Sequence, residues 1–444
     1  MNFATYNRPW LDEMRAQKAR ILESGALDKL RSLLAEQGAH KDPLLPIPLT
    51  FDRATFDALA NAGLLVMSAQ TKILRDLMKQ CSHSEMLRRF DMPEVMAAAV
   101  DWDELVAGDY TICRFDVVPS DDGYYFCELN PDSSVGGPEI ADCLQVFCNA
   151  MGWPLVDDMP SPQHASVGLL RRVAASKGLK RIVLCDWSSN RGSGHLGFDL
   201  LRQHLVRALP ELEIHLVYEN EYPAAWLEPQ EGARTLVHRG FMYQDINDDG
   251  AFVVRLRESG ATVINAFETE IRMNKGWLAM FCDPQYHALL TPAEIEAIAT
   301  YVPYTVAISN ENLDDLLGRK AELVFKLGAG YGGDGVWMGG EHSAEYLREL
   351  IQARGLSRWI AQKVITFSGV AIPFNAEFEF IPHNVVLGLY LIDGKASGLM
   401  VRASSSSKVV NVQSGVGGYA WAIPMTPEEQ ARHIETISAA RTQQ

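Results

Sequence analysis

The chain has 444 residues, too many for one simple core, so two or three lobes are expected. Its 40 basic and 56 acidic residues give a net charge of −16, which argues against nucleic acid or an anionic membrane as the main partner. Seven scattered cysteines without a CxxC pair, and the lack of a signal-like or membrane-spanning apolar run, indicate a cytoplasmic protein without a disulfide framework or thiolate zinc site.

The first hundred residues have a helical pattern. Apolar residues recur at three- and four-residue spacing in segments such as LDEMRAQKARILESGALDKLRSLLAEQ and TFDALANAGLLVMSAQTKILRDLMKQ. This spacing predicts helices with one apolar face. We therefore expect an N-terminal helical region over residues 1–105 that packs against the rest of the chain.

A β-hairpin is predicted by the segment RFDVVPSDDGYYFCELN, in which two apolar-rich runs flank the turn signal DDG. A three-residue turn with glycine at its positive-φ position would place Asp116 opposite Glu128 and Arg114 opposite Asn130. Because successive strand side chains alternate between faces, all four side chains would project from the same face.

The polar face of this hairpin has the chemistry of a magnesium site. Opposed carboxylates repel each other unless a proton or a cation lies between them. Asp116 and Glu128, with the amide oxygen of Asn130, suit a hard ion such as Mg2+ that also takes phosphate oxygens. The alternative is an exposed hairpin with a hydrated polar face, on which Arg114 pairs with Asp116.

An α/β unit is predicted after the Pro- and Ser-rich stretch MPSPQHAS. A buried-strand pattern, KRIVLCDW, precedes the helix pattern HLGFDLLRQHLVRAL and the strand-like pieces EIHLVY, RTLVHR and ATVIN. Alternating strands and helices predict a parallel, doubly wound unit over residues 175–272. The loop SSNRGSG follows the first strand, where such units bind ligands, although a plain connecting loop explains it equally well.

The chain after this unit contains a glycine-rich segment, FKLGAGYGGDGV, with five glycines in eight residues. Such a loop can lay backbone N–H groups against phosphate oxygens, and Lys326 just before it would add a point charge. The pattern matches neither GxGxxG at a helix start nor the P-loop, and a tight hairpin is the alternative. A second lysine, Lys275 in NKGW, could point at the same ligand or into solvent.

The remaining segments predict strands. RWIAQKVI places the polar pair Gln362–Lys363 in an apolar strand, as in a strand edge that binds a purine, or simply in an edge strand with alternating polar residues. NAEFEFIPHNVVLGLYLIDGKASGLMVRASSS predicts an antiparallel meander with turns at PHN and DGK.

Taken in order, these motifs resemble those of circularly permuted ATP-grasp proteins, in particular the glutathionylspermidine synthase-like carboxylate–amine ligases. The order is R-x-D, E-x-N, V-I-N before a lysine, V-x-K-x-G-x-G-Y-G-G-x-G-V, I-A-Q and V-R, over about residues 110–420. In an unpermuted ATP-grasp enzyme the E-x-N motif follows the two lysines, whereas here it precedes them. The N-terminal hundred residues and the loop PDSSVGGPE have no counterpart that we can assign.

The resemblance implies an α/β fold with α+β elements, the ATP-grasp fold in circularly permuted order with a pre-ATP-grasp-like α/β unit and an N-terminal helical region. The expected divisions are residues 1–105 for the helical region, 106–160 for the permuted metal-binding part, 175–272 for the pre-ATP-grasp-like unit and 273–444 for the nucleotide-binding part.

The resemblance also implies ATP and Mg2+ as cofactors and assigns site residues by position. The metal ligands would be Asp116, Glu128 and Asn130. The nucleotide would contact Lys275, Lys326, Gly330, Gly332, Gly333, Gly335, Gln362, Lys363 and Val364, the last three at the adenine. The catalytic cations, facing the transferred phosphoryl group and a developing acyl phosphate, would be Arg114 and Arg402.

The implied activity is an ADP-forming carbon–nitrogen ligase that joins a small-molecule carboxylate, such as an amino acid or small peptide, to an amine through an acyl phosphate. No nucleic-acid or membrane partner is expected. One alternative is an ATP-grasp phosphotransferase that uses the same nucleotide site on a hydroxyl or other acceptor. A second alternative is a non-catalytic nucleotide-binding protein.

Overall fold

A computed structural model describes most of the chain. The described residues are 2–36, 44–45, 47–107, 112–132, 135–154, 159–191, 195–330, 335–373, 378–405 and 417–442. Within them the chain forms three β-sheets with helices packed against them, a mixed α/β fold. No helix of this part of the chain is long and apolar enough to cross a membrane.

The strands, numbered in chain order, are β1 (Leu49–Asp52), β2 (Ile112–Pro119), β3 (Tyr124–Asn130), β4 (Arg181–Asp186), β5 (Glu213–Tyr218), β6 (Thr235–Arg239), β7 (Thr262–Ile264), β8 (Thr305–Ala307), β9 (Leu323–Leu327), β10 (Val336–Met338), β11 (Trp359–Lys363), β12 (Val370–Pro373), β13 (Phe380–Ile392), β14 (Lys395–Ser404) and β15 (Gly417–Met425).

The α-helices, also in chain order, are α1 (Phe3–Ala16), α2 (Lys18–Glu23), α3 (Ala26–Glu36), α4 (Arg53–Gln80), α5 (His83–Arg89), α6 (Trp102–Ala107), α7 (Ile140–Met151), α8 (Pro162–Lys177), α9 (His195–Ala208), α10 (Pro229–Gly232), α11 (Ala251–Glu258), α12 (Thr269–Arg272), α13 (Gly276–Cys282), α14 (Pro292–Tyr301), α15 (Leu313–Gly318), α16 (Ala344–Arg354) and α17 (Pro427–Thr442).

Among the described residues the largest sheet, called the central sheet below, has the order β1-β15-β14-β13-β2-β3, with β12 also beside β13. Its neighbours are antiparallel except for β1, which pairs parallel to β15. A parallel sheet has the order β5-β4-β6-β7, as the α/β pattern predicts. A small antiparallel sheet has the order β10-β9-β11-β8.

The two faces of the central sheet are covered by different elements. On one face α4 packs closely, since a Cβ on Gly63 would lie 3.0 Å from Phe115 and from Leu391. On the other face Tyr390 and Met400 pack into a second apolar cluster with residues of α7 and α8. This second cluster covers only part of the face, and the polar residues of the β2–β3 hairpin lie on the rest of it.

The strand β1 lies in a region for which the sequence predicts helices. It is four residues long and is fixed by side chains of α1: the Nδ2 of Asn7 donates to the carbonyl of Thr50 at 2.8 Å, and the indole of Trp10 donates to that of Pro48 at 2.8 Å. So short a strand carries too little alternation to be recognised from sequence. Its pairing with β15 places the N-terminal helices directly against the central sheet.

The predicted turn at PHN is wrong, because β13 continues through Pro382 without a break. Pro382 precedes the part of β13 that pairs with β14, which begins at Asn384, and proline is tolerated where one side of a strand is open. The predicted turn at DGK is confirmed. Asp393 and Gly394 both have positive φ, 53° and 70°, as the tight turns of two-residue hairpins require.

Candidate functional site

The β2–β3 hairpin has the predicted register at the site but not the predicted turn. It turns through four residues, Ser120–Gly123, and Gly123 is not among the residues with positive φ. The register then shifts by one between Asp116 and Val117, which leaves Cys127 without a partner residue, as in a β-bulge. The bulge compensates for the longer turn and restores the predicted pairing beyond it.

Beyond the bulge, Asp116 pairs with Glu128 and Arg114 with Asn130, as the sequence predicts. Asp116 is buried, and its two oxygens accept from different arginines: Oδ1 from the Nε of Arg114 at 2.9 Å, and Oδ2 from Arg402 on β14. Burial alone would raise the pKa of Asp116, but the two guanidinium groups outweigh it and hold the pKa below its ordinary value. An ionised Asp116 therefore orients both arginines.

A glycine that the sequence analysis did not single out makes this arrangement possible. Gly388 lies on β13 between Asp116 and Met400, and Arg402 reaches across β13 to contact Asp116. A Cβ at Gly388 would lie 2.9 Å from the Cδ of Arg114 and 3.1 Å from the Cε of Met400. The available signal was a glycine inside the apolar strand run VVLGLYLI, which marks a close approach of another group.

The loop after β3 is also fastened to this face. The Nη1 of Arg114 and the hydroxyl of Tyr390 both donate to the carbonyl of Gly136, at 3.0 and 2.6 Å. Gly137 has φ +96°, and a Cβ there would lie 2.0 Å from the sulfur of Met400. This part of the PDSSVGGPE segment therefore lies directly against Arg114, whereas residues 133 and 134 lie outside the described residues.

Lys275, which directly precedes α13, and the glycine-rich loop after β9 both contact the hairpin region. The Nζ of Lys275 lies 2.9 Å from the Oε1 of Glu128 and also contacts the carbonyl of Gly330. The backbone N–H of Lys275 donates to the carbonyl of Gly328 at 2.8 Å. Lys275 is therefore not a solvated lysine but a buried link between the loop and Glu128.

Lys326 lies on the same side of the hairpin. Its Nζ donates to the carbonyl of Cys127 at 3.1 Å and to the Oε1 of Gln362 at 2.7 Å, and Gln362 in turn donates to Thr305 at 3.0 Å. Burial lowers the pKa of Lys326, and the charge of Lys275 acts in the same direction. An anion bound beside these lysines would reverse that effect.

The glycine-rich loop is described only at its ends. Gly335 has φ +85°, and its carbonyl accepts from the backbone N–H of Leu327 at 2.8 Å. This bond joins the two ends of the loop at the C-terminal end of β9. Gly330 carries the carbonyl that Lys275 contacts. The predicted phosphate contacts at Gly332 and Gly333 lie outside the described residues.

The strand expected at the adenine is an inner strand. β11 pairs with both β8 and β9, so the alternative of an edge strand is wrong. The N–H groups of Lys363 and Val364 donate to the carbonyls of Tyr304 and Glu322, at 2.8 and 2.9 Å. An adenine contact through these two groups would have to replace those bonds.

An apolar cluster lies beside the lysines. Val118 and Val386 of the central sheet are buried against Cys127, Ile365 and Phe367, the last two from the segment that follows β11. Because the carbonyl of Cys127 also accepts from Lys326, the apolar cluster and the cations are adjacent. Such a surface suits a flat aromatic base next to its charged substituents.

The expected Mg2+ ligands fit that ion in part. Two carboxylates and an amide oxygen are ligands that Mg2+ prefers. The Nδ2 of Asn130 is buried with no hydrogen-bond partner among the described residues, and as a donor it suits a phosphate oxygen rather than the cation. Asp116, however, has both oxygens engaged by arginines. The described residues contain no cluster of three or more acidic, histidine or cysteine side chains that could hold a metal alone. The set therefore fits an ion that takes its other ligands from phosphate and water.

The charge of the site indicates its ligand. Four cations, Arg114, Arg402, Lys275 and Lys326, surround two carboxylates, although the whole chain carries a net charge of −16. Such a local excess of positive charge in buried surroundings favours a ligand with several anionic oxygens. The arrangement has the chemistry to bind a polyphosphate and to stabilise charge on a phosphoryl group.

Two acidic residues outside the hairpin, Asp132 and Asp186, have partners of their own. Asp132 forms a buried ion pair with Arg239 at 3.0 Å. Asp186 accepts from the backbone N–H of Trp187 at 2.7 Å and from Asn190, and burial raises its pKa to about 6. Both residues therefore serve the local structure at the carboxyl ends of β3 and β4.

This fold also occurs in solved structures. A glutathione synthetase-like effector of Globodera pallida, in its apo form, matches with a TM-score of 0.58 at 14% identity, over 91% of this chain and 97% of its own. A protein of Methylobacillus flagellatus assigned as a gamma-glutamylcysteine synthetase covers 80% of this chain and 86% of its own, at 13% identity and a TM-score of 0.42, too low to support an argument. No protein-family model and no curated protein matches significantly. The chain thus has a glutathione synthetase-like fold.

Proposed function

We propose that the protein is an ATP-dependent carboxylate–amine ligase with a circularly permuted ATP-grasp site, which forms an amide and releases ADP and phosphate. The observation that carries the proposal is the convergence of the two lysines, Lys275 and Lys326, and the arginine pair, Arg114 and Arg402, on one β-hairpin. These cations come from segments far apart in the chain, so the fold itself assembles them.

ATP would lie between the small antiparallel sheet and the central sheet. Its base would face the apolar cluster around Val386 and Phe367, and its phosphates would replace protein oxygens as partners of Lys275 and Lys326. The glycine-rich loop, joined to Lys275 through Gly330, would cover the phosphates and exclude water. Water exclusion matters because an acyl phosphate hydrolyses readily.

Glu128 and Asn130 would hold Mg2+, with Asp116 joining them where phosphate oxygens draw its arginines away. When bound, the ion would neutralise phosphate charge as it develops during transfer. The residues of this chain would do the remaining work on the phosphoryl group.

Arg114 and Arg402 are the groups that we assign to the transferred phosphoryl group. Asp116 holds both guanidinium groups on the same face, and the Nε of Arg402 is buried without a hydrogen-bond partner among the described residues. One guanidinium group can donate to two phosphoryl oxygens at once, which suits a transition state with charge on three oxygens. The same pair would then stabilise the acyl phosphate until the amine attacks.

The choice of a ligase over a phosphotransferase rests on the motif order in the sequence together with the synthetase-like fold. The test is ADP release from ATP and Mg2+ across a matrix of amino acids and small peptides against amines, with products identified by mass. A product lighter than carboxylate plus amine by one water, formed only when both are present, is the expected result. ADP with a phosphorylated acceptor and no need for an amine would replace the proposal with a phosphotransferase.

A further inference from the structure

The carboxyl edge of the parallel sheet, where α/β proteins commonly bind ligands, is filled here by a buried polar network. β6 ends at Arg239, and Asn265 follows directly after β7. Arg239 is 0% exposed and Asn265 is 3% exposed. A charge at such depth is unfavourable unless its donors are satisfied, so the contacts of this arginine are informative.

Asn265 joins the two ends of the β2–β3 hairpin. Its Oδ1 accepts from the N–H of Ile112 at 3.2 Å, and its Nδ2 donates to the carbonyls of Ile112 at 2.7 Å and Pro131 at 3.1 Å. Ile112 lies two residues before Arg114, and Pro131 directly follows Asn130. One side chain of the parallel unit thus fastens both strands within about 7 Å of their site residues.

Arg239 extends this connection to a third segment. Its Nε donates to the carbonyl of Asn265 at 2.9 Å, one terminal nitrogen to Asp132 at 3.0 Å and the other to Glu270 at 2.5 Å. The guanidinium also lies over the ring of Phe267, 4.6 Å from its centroid. The planar guanidinium group therefore donates hydrogen bonds to three separate segments of the chain at once.

The third segment leads to the nucleotide lysine. Glu270 lies in α12, and Lys275 follows five residues later. Between them the Nδ2 of Asn274 donates to the carbonyl of Phe90 at 2.8 Å, so this stretch has little freedom. A short hydrogen-bonded stretch thus connects Glu270 to Lys275.

We propose that Arg239 is a positioning residue for the phosphate site, which sets the end of β3 and the segment of Lys275 at a fixed distance. The inference rests on the proposed function, because the geometry that it maintains is the pairing of Glu128 with Lys275 at 2.9 Å. Arg239 itself is buried away from solvent, and the partners named above, Asn265, Asp132 and Glu270, are not members of the cation cluster. It acts through Asp132 and Glu270.

The direct test is Arg239→Lys, which keeps the charge but removes the fork. A lysine cannot bridge both carboxylates and the Asn265 carbonyl, so kcat for ADP formation should fall by about tenfold or more while the KM for ATP changes by less than about threefold. A matched control is Arg181→Lys. Arg181 also bridges two glutamates, Glu213 at 2.9 Å and Glu231 at 3.1 Å, but at the opposite edge of the same sheet.

Arg181→Lys should lower thermal stability less, because its glutamate partners are partly exposed, and should leave kcat per folded molecule unchanged. Equal kcat losses in the two variants, or a wild-type kcat in Arg239→Lys, would overturn the positioning role. A charge-free variant, Arg239→Met with Asp132→Asn and Glu270→Gln, avoids stranded buried charges and should show the same kcat loss in a folded protein.

Hydrogen–deuterium exchange separates this inference from the proposed function. In Arg239→Lys without nucleotide, exchange should rise in peptides covering β3 and in those covering residues 269–276, and it should stay unchanged in β9. Unchanged exchange in all of these peptides would overturn the inference whatever the enzyme does. A wild-type protein that neither binds nor consumes ATP would instead overturn the proposed function, and the exchange result would still decide the role of Arg239.

Discussion

Replacing Gly388 by alanine should displace Arg114 without removing any polar group. The new Cβ would lie 2.9 Å from the Cδ of Arg114 and 3.1 Å from the Cε of Met400. Met400 can turn its terminal methyl group away. Arg114 is held at two points, by Asp116 at 2.9 Å and by the carbonyl of Gly136 at 3.0 Å, so its side chain cannot shift without giving up at least one of these bonds.

The size of the effect follows from the proposed contact with the terminal phosphate that a displaced Arg114 would lose. A hydrogen bond to a charged group contributes about 1.5–3 kcal/mol. Since about 1.4 kcal/mol corresponds to a factor of ten, a displaced Arg114 should weaken binding of the terminal phosphate by about 10–100-fold. ADP lacks that phosphate, and its affinity should fall by less than about threefold.

Isothermal titration calorimetry with Mg2+ and a non-hydrolysable ATP analogue, and then with ADP, measures this difference. Gly168→Ala is the matched control, because Gly168 lies within α8 and a Cβ there would meet no neighbouring group within 4 Å. This control should change neither affinity while adding about 0.5–1 kcal/mol of stability. A Gly388→Ala protein with the affinity of the wild type for the ATP analogue would refute the placement of Arg114 over Gly388 at the phosphate.

Three further predictions concern single side chains. Lys326→Met should lower the affinity for the ATP analogue by about tenfold or more in the same titration, and an unchanged affinity would exclude Lys326 from the phosphates. Glu128→Gln should weaken Mg2+-dependent ATP binding but not Mg2+-free binding, since it removes an anion beside Lys275; equal losses with and without Mg2+ would contradict a metal role. Burial lowers the pKa of His238 to about 4, so this side chain takes up a proton in the unfolded state before the folded state as the pH falls below about 6.5. Between pH 6.5 and 4 the unfolding free energy of the wild type should therefore fall by about 3 kcal/mol more than that of His238→Gln in urea unfolding, and equal pH dependence in the two proteins would contradict this.

The strands of the parallel unit were predicted from their short apolar runs, and the facing pairs of the hairpin from the rule that every second side chain of a strand lies on the same face. The hairpin turn was mispredicted. The four-residue turn and the bulge at Cys127 each shift the register by one, and their effects cancel at Asp116 and Glu128. The predicted pairing was therefore correct although the predicted turn was wrong. Only the structure shows that the longer turn and the bulge offset each other.

What sequence reasoning missed depends on contacts between distant segments. Arg239 ends an ordinary buried strand, and its partners Asp132 and Glu270 lie 107 and 31 residues away. A glycine is required at position 388 only because the side chain of Arg114 crosses over it from the neighbouring strand. Neither relation has a local pattern, since β2 and β13 are neighbours in the sheet although ten described strands, β3 to β12, lie between them in the chain.

The measurement that tests the central claim most directly is hydroxylamine trapping. The protein, ATP, Mg2+ and a pool of amino acids and small peptides are incubated with hydroxylamine in place of the amine, and nucleotides and hydroxamates are quantified. An acyl phosphate ligase should release ADP and form a hydroxamate of one carboxylate in equal amounts, and Lys326→Met should abolish both products. Release of AMP, or of ADP with a phosphorylated acceptor and no hydroxamate, would contradict the proposed ligase.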